Sequence, residues 1–266
     1  MKKLTIITGA SSGMGAEFAR QLYAETEATD EAPHEFWLIA RNRDHLDATA
    51  TSLSGKPITV RTIPLDLSSK DSVQHLRALL EAEKVAGGVT IATLVNNAGF
   101  GTYGPFAETD VAREMEMIDV NCTTLTGLCG IALPYLVRKS RIINVASLAA
   151  FLPLGNFAVY AATKAYVLSF SVALAAELAD AGITVTAVCP GSVSTNFANV
   201  ASNGKRKEVL HGKDPVKTVR HALKASKNGQ KIALWACKWK ITAFMSRFIG
   251  RYLGARWTYR YAKRPH

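Results

Sequence analysis

Seven short, β-branched apolar runs alternate with longer stretches of helical periodicity, and this alternation limits the fold more than any other feature of the chain. The runs are residues 4–8, 36–40, 58–64, 90–96, 141–146, 184–189 and 231–236. Runs this short, separated by helices, predict parallel strands buried on both faces, hence a doubly wound α/β sheet of about seven strands. The polar, proline-containing stretch 29–34 predicts a surface loop leading into the second strand. No repeat or linker divides the chain, and 266 residues at 48% hydrophobic content suffice for one large domain with an ample core. The expectation is a single catalytic-type domain over 1–238, with residues 239–266 as a basic amphipathic extension of it.

The net charge of +11 is concentrated at one end. Residues 201–266 hold 17 of the 32 Lys and Arg but only 2 of the 21 Asp and Glu, which leaves the first 200 residues slightly acidic. A uniformly basic surface would indicate nucleic acid; a weakly acidic body with a basic, aromatic end indicates a local anionic partner instead. Cys122, Cys129, Cys189 and Cys237 form no C-x-x-C pair and read as buried, reduced thiols of a cytoplasmic protein. The six histidines show no ligand spacing, so no metal is expected. The apolar start after Met1-Lys2-Lys3 is broken by Thr8, Gly9, Ser11, Ser12 and Gly13, which argues against a secretory leader, and no run of about 18 apolar residues predicts a membrane span.

The first strand runs into Thr8-Gly9-Ala10-Ser11-Ser12-Gly13-Met14-Gly15, and residues 16–23 then read as a helix. Strand, glycine loop and helix in this order let a backbone without Cβ atoms approach a pyrophosphate at a helix N-terminus. The spacing is G-x-x-x-G-x-G; taken alone it is as often a plain tight connection. Downstream, Asn96-Asn97-Ala98-Gly99 closes the fourth strand, Ser147 follows the fifth, Tyr160-Ala161-Ala162-Thr163-Lys164 supplies Y-x-x-x-K, and Pro190-Gly191 ends the sixth. With these motifs in this order over residues 3–197, the chain resembles the classical short-chain dehydrogenase/reductase family. It is similar to that family's lipid- and steroid-directed branch in residues 96–106 and 159–170.

The resemblance implies a Rossmann fold, a nicotinamide cofactor and a set of contacts. Gly9, Ser11, Ser12, Gly13, Met14 and Gly15 would cradle the phosphates. Asp66 and Leu67 would border the adenine, and Asn97, Ala98 and Gly99 the adenosine side. Thr195 would meet the carboxamide of the nicotinamide, and Pro190, Gly191, Val193, Tyr160 and Lys164 would also bind the cofactor. Asp66 equally suits a cap for a helix beginning near Ser68 or Ser69. At the end of the second strand, where an NAD enzyme places a carboxylate for the ribose hydroxyl, stands Ala40, followed by Arg41, Asn42 and Arg43. A guanidinium matches a phosphate, so the expected cofactor is NADP(H).

Hydride transfer to a ketone leaves an alkoxide that needs a proton. Tyr160 is the candidate donor: a phenol has a pKa of about 10 and needs a nearby cation to work near neutrality. Lys164, four residues on and on the same helical face, can supply that charge. The resemblance implies that Ser147 holds the substrate oxygen and that Asn121 holds a water in the proton relay, although Asn121 within an apolar segment could instead satisfy a buried backbone group.

Substrate is expected in segments 100–106 and 148–157 and in the stretch after Thr195, where Phe100, Tyr103, Phe106, Leu148, Phe151, Leu152, Leu154 and Phe157 predict an apolar mouth for a lipophilic small-molecule substrate, a hydroxysteroid or bile acid in the first place and a 3-ketoacyl chain as the alternative. Beyond the last strand, Ile241, Phe244, Met245, Phe248, Ile249, Tyr252 and Leu253 repeat at helical spacing beside Lys240, Arg247, Arg251 and Arg256. One amphipathic helix is expected there, as a core-covering or subunit-joining element of a homo-oligomer, a lid over the pocket, or a contact with anionic lipid. Two competing functions are a dinucleotide-binding sensor without chemistry, against which the Tyr160–Lys164 pair argues, and a polyanion- or membrane-binding protein acting through its tail.

Overall fold

The computed structural model describes residues 1–27, 33–205 and 212–263. In chain order it contains β1 (Lys2–Thr8), α1 (Gly13–Glu25), β2 (His34–Ala40), α2 (Arg43–Thr51), β3 (Thr59–Pro64), α3 (Ser72–Gly87) and β4 (Val89–Asn96). These are followed by α4 (Val111–Ile118), α5 (Leu125–Ala132), β5 (Leu136–Val145), α6 (Ala158–Glu177), β6 (Thr184–Val188), α7 (Phe197–Ala201), α8 (Pro215–Lys227), β7 (Ile232–Ala233), α9 (Cys237–Met245) and α10 (Arg251–Tyr261). The strands form one sheet in the order β3-β2-β1-β4-β5-β6-β7, with every pairing parallel.

Every side chain of β2 is buried, as the unbroken apolar run Phe36-Trp37-Leu38-Ile39 requires of a strand covered on both faces. One face packs against α3, α5 and α6 through Leu76, Leu80, Leu125, Leu128, Val167 and Leu174. The other packs against α1, α2 and α8 through Phe18, Leu22, Leu46, Val219 and Leu223. Sequence order along the sheet reverses between β1 and β4. The crevice beyond their carboxyl ends is where such sheets take ligands.

Several expectations need correction. The seventh strand shrinks from residues 231–236 to Ile232–Ala233, because only those two residues pair with Ala187 and Val188. The fifth begins earlier, at Leu136, and loops out before Arg141, where Lys139 has φ 74°. His34 is the first residue of β2, not part of a loop: its Nε2 lies 2.9 Å from Thr5 Oγ1, and burial pushes it down to about 4. Residues 29–32 of that expected loop, with His211 and His266, fall outside the described residues. Cys122, Cys129 and Cys189 are buried, but Cys237 is exposed at the start of α9. Two helical stretches, Val111–Tyr135 and Ala158–Glu177, are by length and composition apolar enough to cross a membrane, against expectation. Both contribute side chains to the core beside the sheet.

The single C-terminal helix is in fact two. α9 and α10 are separated by residues 246–250, with Gly250 flanking the start of α10. The predicted apolar stripe does not pack: Phe244, Phe248, Tyr252 and Leu253 are exposed, while Trp239, Ala243, Ser246 and Gly254 are buried.

Candidate active site

The residues at the carboxyl ends of β1, β4, β5 and β6 surround one cavity of about 850 Å3. At its floor, α1 begins inside the glycine loop, with Ser12 preceding it in an extended conformation and its side chain left free of a capping bond. Gly9 and Gly13 take φ of +65° and +54°, and Gly15 is pressed so closely on the loop that an added Cβ would lie 2.0 Å from the Gly9 carbonyl oxygen. Thr8 joins this loop to the end of β4: its Oγ1 accepts from the Asn97 and Ala98 amides, both at 3.0 Å, and its carbonyl accepts from Asn97 Nδ2 at 3.1 Å. The result is a backbone cradle at a helix N-terminus, open on the cavity side, which fits the pyrophosphate of a dinucleotide.

Of the residues singled out in the sequence for the cofactor, Gly9, Ser11, Ser12, Gly13, Met14, Arg41, Asp66, Leu67, Asn97, Ala98, Gly99, Pro190, Gly191, Val193 and Thr195 line this cavity. Gly15 does not line it but lies beneath it, against Gly9 and Asn97. Asp66 caps no helix, since α3 starts only at Ser72; its Oδ1 instead accepts from the Ser68 amide at 3.0 Å and from Ser68 Oγ at 2.9 Å. Burial raises the Asp66 carboxyl, but the Ser68 hydrogen bonds and the nearby Arg41 outweigh it and hold the group below its ordinary value. Ala40 lies at the cavity wall with no carboxylate of its own. The Arg41 guanidinium is 3.6 Å from Glu116 Oε1, an acid on α4 that also lines the cavity and that the sequence alone did not single out.

α6 brings Tyr160 and Lys164 to the same wall, one helical turn apart and both buried. Lys164 Nζ lies 5.7 Å from the Tyr160 ring centroid and donates to the Val145 carbonyl at 2.8 Å. Burial pushes this amine down to about 8, only partly offset by the neighbouring Cys122 and Cys189. The Tyr160 ring stacks on Phe157 at 4.2 Å between centroids and leans on Phe197 at 5.3 Å; Phe157 in turn meets Tyr103 at 4.9 Å. Ser147 follows β5 at the cavity wall, where its Oγ accepts from the Ala149 amide at 3.1 Å and caps the turn Leu148–Phe151.

Asn121 stands apart from the cavity lining. It is fully buried in the π-helical turn Asp119–Thr124 between α4 and α5. Its Oδ1 accepts from the Phe100 amide at 3.2 Å, while Nδ2 donates to the Phe100 carbonyl and to Thr163 Oγ1, both at 3.0 Å. Thr163 Oγ1 donates to the Tyr160 carbonyl at 2.8 Å, so Asn121 ties the segment after β4 to the helix that carries Tyr160.

The outer part of the cavity is apolar. Phe100, Tyr103, Leu148, Phe151, Leu152, Leu154 and Phe157 line it as expected, but Phe106 is exposed on a separate short turn and does not. Phe197 and Val200 of α7 also line it, as expected of the stretch after Thr195, and so do Thr242, Ser246, Ala262 and Lys263 of the C-terminal segment, for which a lid over the pocket was one of the expectations. Trp239 anchors α9 by packing on Gly191, where an added Cβ would meet the indole at 2.3 Å. α10 is latched to the substrate-side loop by the Gly155 amide donating to Thr258 Oγ1 at 2.8 Å and by Asn156 Nδ2 donating to the Tyr259 carbonyl at 3.0 Å.

A parallel sheet with a glycine cradle at its switch point, beside a buried Tyr-Lys pair at the mouth of an apolar pocket, defines an oxidoreductase that takes a nicotinamide dinucleotide and acts on a small-molecule CH–OH group. The comparisons name the family. The short chain dehydrogenase model matches residues 3–206, and the chain belongs to that family. It is 31% identical to an uncharacterized oxidoreductase of Staphylococcus aureus over 85% of this chain and 93% of that one. It is 28% identical to a very-long-chain 3-oxoacyl-CoA reductase of Phaeosphaeria nodorum, over 94% of this chain and 72% of the relative. Among solved structures, a short-chain dehydrogenase from Sphingobium yanoikuyae in complex with NADPH superposes with a TM-score of 0.77 at 26% identity, over 93% and 94% of the two chains.

Proposed function

We propose that this oxidoreductase interconverts a ketone and a secondary alcohol on a lipophilic substrate, with NADP(H) as the cofactor. The observation that carries the reading is the position of Tyr160, where the glycine cradle and the aromatic pocket of Phe157, Tyr103 and Phe197 meet in one cavity. When bound, the cofactor supplies the hydride. The Tyr160 hydroxyl gives its proton to the substrate oxygen in reduction and takes it back in oxidation. Lys164, as an ammonium below about pH 8, favours the tyrosinate left behind. Ser147 holds the substrate oxygen. Asn121 acts as a positioning residue through Thr163 and Phe100.

Two lipophilic substrate classes suit the cavity, a hydroxysteroid or bile acid and a 3-oxoacyl chain. The second is supported by the name of the Phaeosphaeria relative and by Lys263 at the rim, which offers a cation to an anionic carrier beyond the chain. An NADPH-oxidation screen of ketosteroids, keto bile acids and 3-ketoacyl thioesters decides between them; turnover of none of the three would overturn the lipophilic assignment. Exposed apolar side chains on α4 and α6, among them Met115, Ile118, Tyr166 and Val172, support a homo-oligomer.

The NADP(H) preference rests on Arg41 beside a strand end that lacks an acid. In this structure Glu116 holds Arg41, so the 2′-phosphate would replace that carboxylate as the partner of the guanidinium. Arg41→Ala is expected to cost about ten- to a hundredfold in NADPH affinity, the worth of a charge-assisted hydrogen bond, and to leave NADH binding nearly unchanged. Titration of both nucleotides by fluorescence measures this. Equal wild-type affinity for the two would refute the preference.

A further inference from the structure

The C-terminal helices present to solvent the side chains that a soluble enzyme ordinarily buries. Phe244, Phe248, Tyr252, Leu253 and Trp257 are between 57% and 71% exposed. The opposite side of the same segment carries Trp239, Ala243, Ser246 and Gly254, all buried. The anchors fix the orientation: Trp239 sits on Gly191 and Thr258 on Gly155, so the large apolar side chains face outward. Around them stand Lys238, Lys240, Arg247, Arg251, Arg256 and Arg260, all exposed, and none forms an ion pair among the described residues. The sequence holds no Asp or Glu after Asp214.

We infer that this face docks on an anionic lipid bilayer and that the cavity opens beside the docked surface. A second copy of the same face is a poor occupant: an isologous contact would set six cations against six with no carboxylate to separate them. A purely polar polyanion leaves the exposed Phe, Leu and Trp side chains without an apolar partner. A bilayer interface satisfies both, because aromatic and aliphatic side chains enter the acyl boundary while Lys and Arg remain at the headgroups. Thr242 of α9 and Ser246 just after it line the cavity, as do Ala262 and Lys263 just after α10. A lipophilic ketone therefore passes from the bilayer into the pocket without crossing bulk water. This last step rests on the proposed function, whereas the docking itself does not.

Co-sedimentation of the full chain with phosphatidylcholine vesicles, with and without phosphatidylglycerol, tests the docking in the absence of cofactor and substrate. Binding is expected only with phosphatidylglycerol and should weaken with salt. A Phe248→Glu/Tyr252→Glu double variant, altered only at exposed positions, should bind the anionic vesicles at least about tenfold more weakly while its NADPH affinity and its mass by sedimentation stay those of the wild type. Three results would overturn the inference: no pelleting with either vesicle, equal pelleting of the double variant, or dissociation of an oligomer in that variant, which would assign the face to a second copy. Displacement of wild type from vesicles by duplex DNA at equal charge would assign it to nucleic acid instead. If the ketone screen fails while vesicle binding holds, the docking stands and the substrate reading falls.

Discussion

Replacing Tyr160 by Phe is expected to reduce turnover by at least about a hundredfold and to leave NADPH affinity within about twofold of wild type. The phenyl ring keeps the stack on Phe157 and the contact with Phe197, so the fold and the shape of the pocket are preserved. Only the hydroxyl is lost. In the assigned chemistry that hydroxyl is the sole proton source for the substrate oxygen, so the loss should fall on kcat and not on cofactor binding. Steady-state kinetics with the best ketone of the screen, together with nucleotide titration, separates the two quantities. Rates within tenfold of wild type would remove Tyr160 from the mechanism.

Gly15→Ala should be as damaging for a different reason. Its Cβ would lie 2.0 Å from the Gly9 carbonyl oxygen and 2.6 Å from Asn97 Nδ2. Neither neighbour is free to give way: Gly9 is held in a left-handed conformation, and the Asn97 amide is bonded to the Thr8 carbonyl. The cradle must therefore open, and NADPH affinity should fall by more than about a hundredfold, the cost of losing several positioned donors together. Gly130→Ala serves as the control, since an added Cβ on the exposed face of α5 meets nothing within 4 Å and the helix gains up to about 1 kcal/mol from the substitution. Equal NADPH binding by the two variants would show that the loop does not carry the phosphates.

The order of strands and helices was legible because a parallel sheet writes itself as continuous apolar runs, and β2 is the clearest case. Where a strand lies at an edge the run says less: Leu234 and Trp235 look like a continuation of β7, yet the pairing to β6 ends at Ala233. The C-terminal stripe misled for a related reason. Helical periodicity shows that a face is apolar but not what it faces, and the packed side is written in Trp239, Ala243 and Ser246, spaced by four and three residues and mostly small. Glycines permit the close approaches there: Gly191 receives the indole of Trp239, and Gly254 lies against Leu152, a cue easily overlooked beside the bulky stripe. The glycine loop, the Tyr-Lys pair and Arg41 could be placed by local spacing. Glu116 and Lys263 could not, since they reach the cavity only through tertiary packing from other elements.

The burial of Lys164 also bears on how this chain would behave under selection for heat resistance. Its amine is pushed down from the ordinary 10.5 to about 8, so the unfolded chain holds that proton more tightly than the native one. By linkage the native state carries the full cost below about pH 8 and is relieved of it as the pH rises toward 10.5, a difference of roughly 3 kcal/mol. Lys164→Met removes this titration and also the bond to the Val145 carbonyl, so the pH trend is the readout: the Tm of the wild type should rise relative to that of the variant above pH 8, and a gap that does not change with pH would contradict the assigned cost. A library screened for thermal tolerance at pH 7 would therefore press harder against this lysine than one screened at alkaline pH, where its proton is already gone.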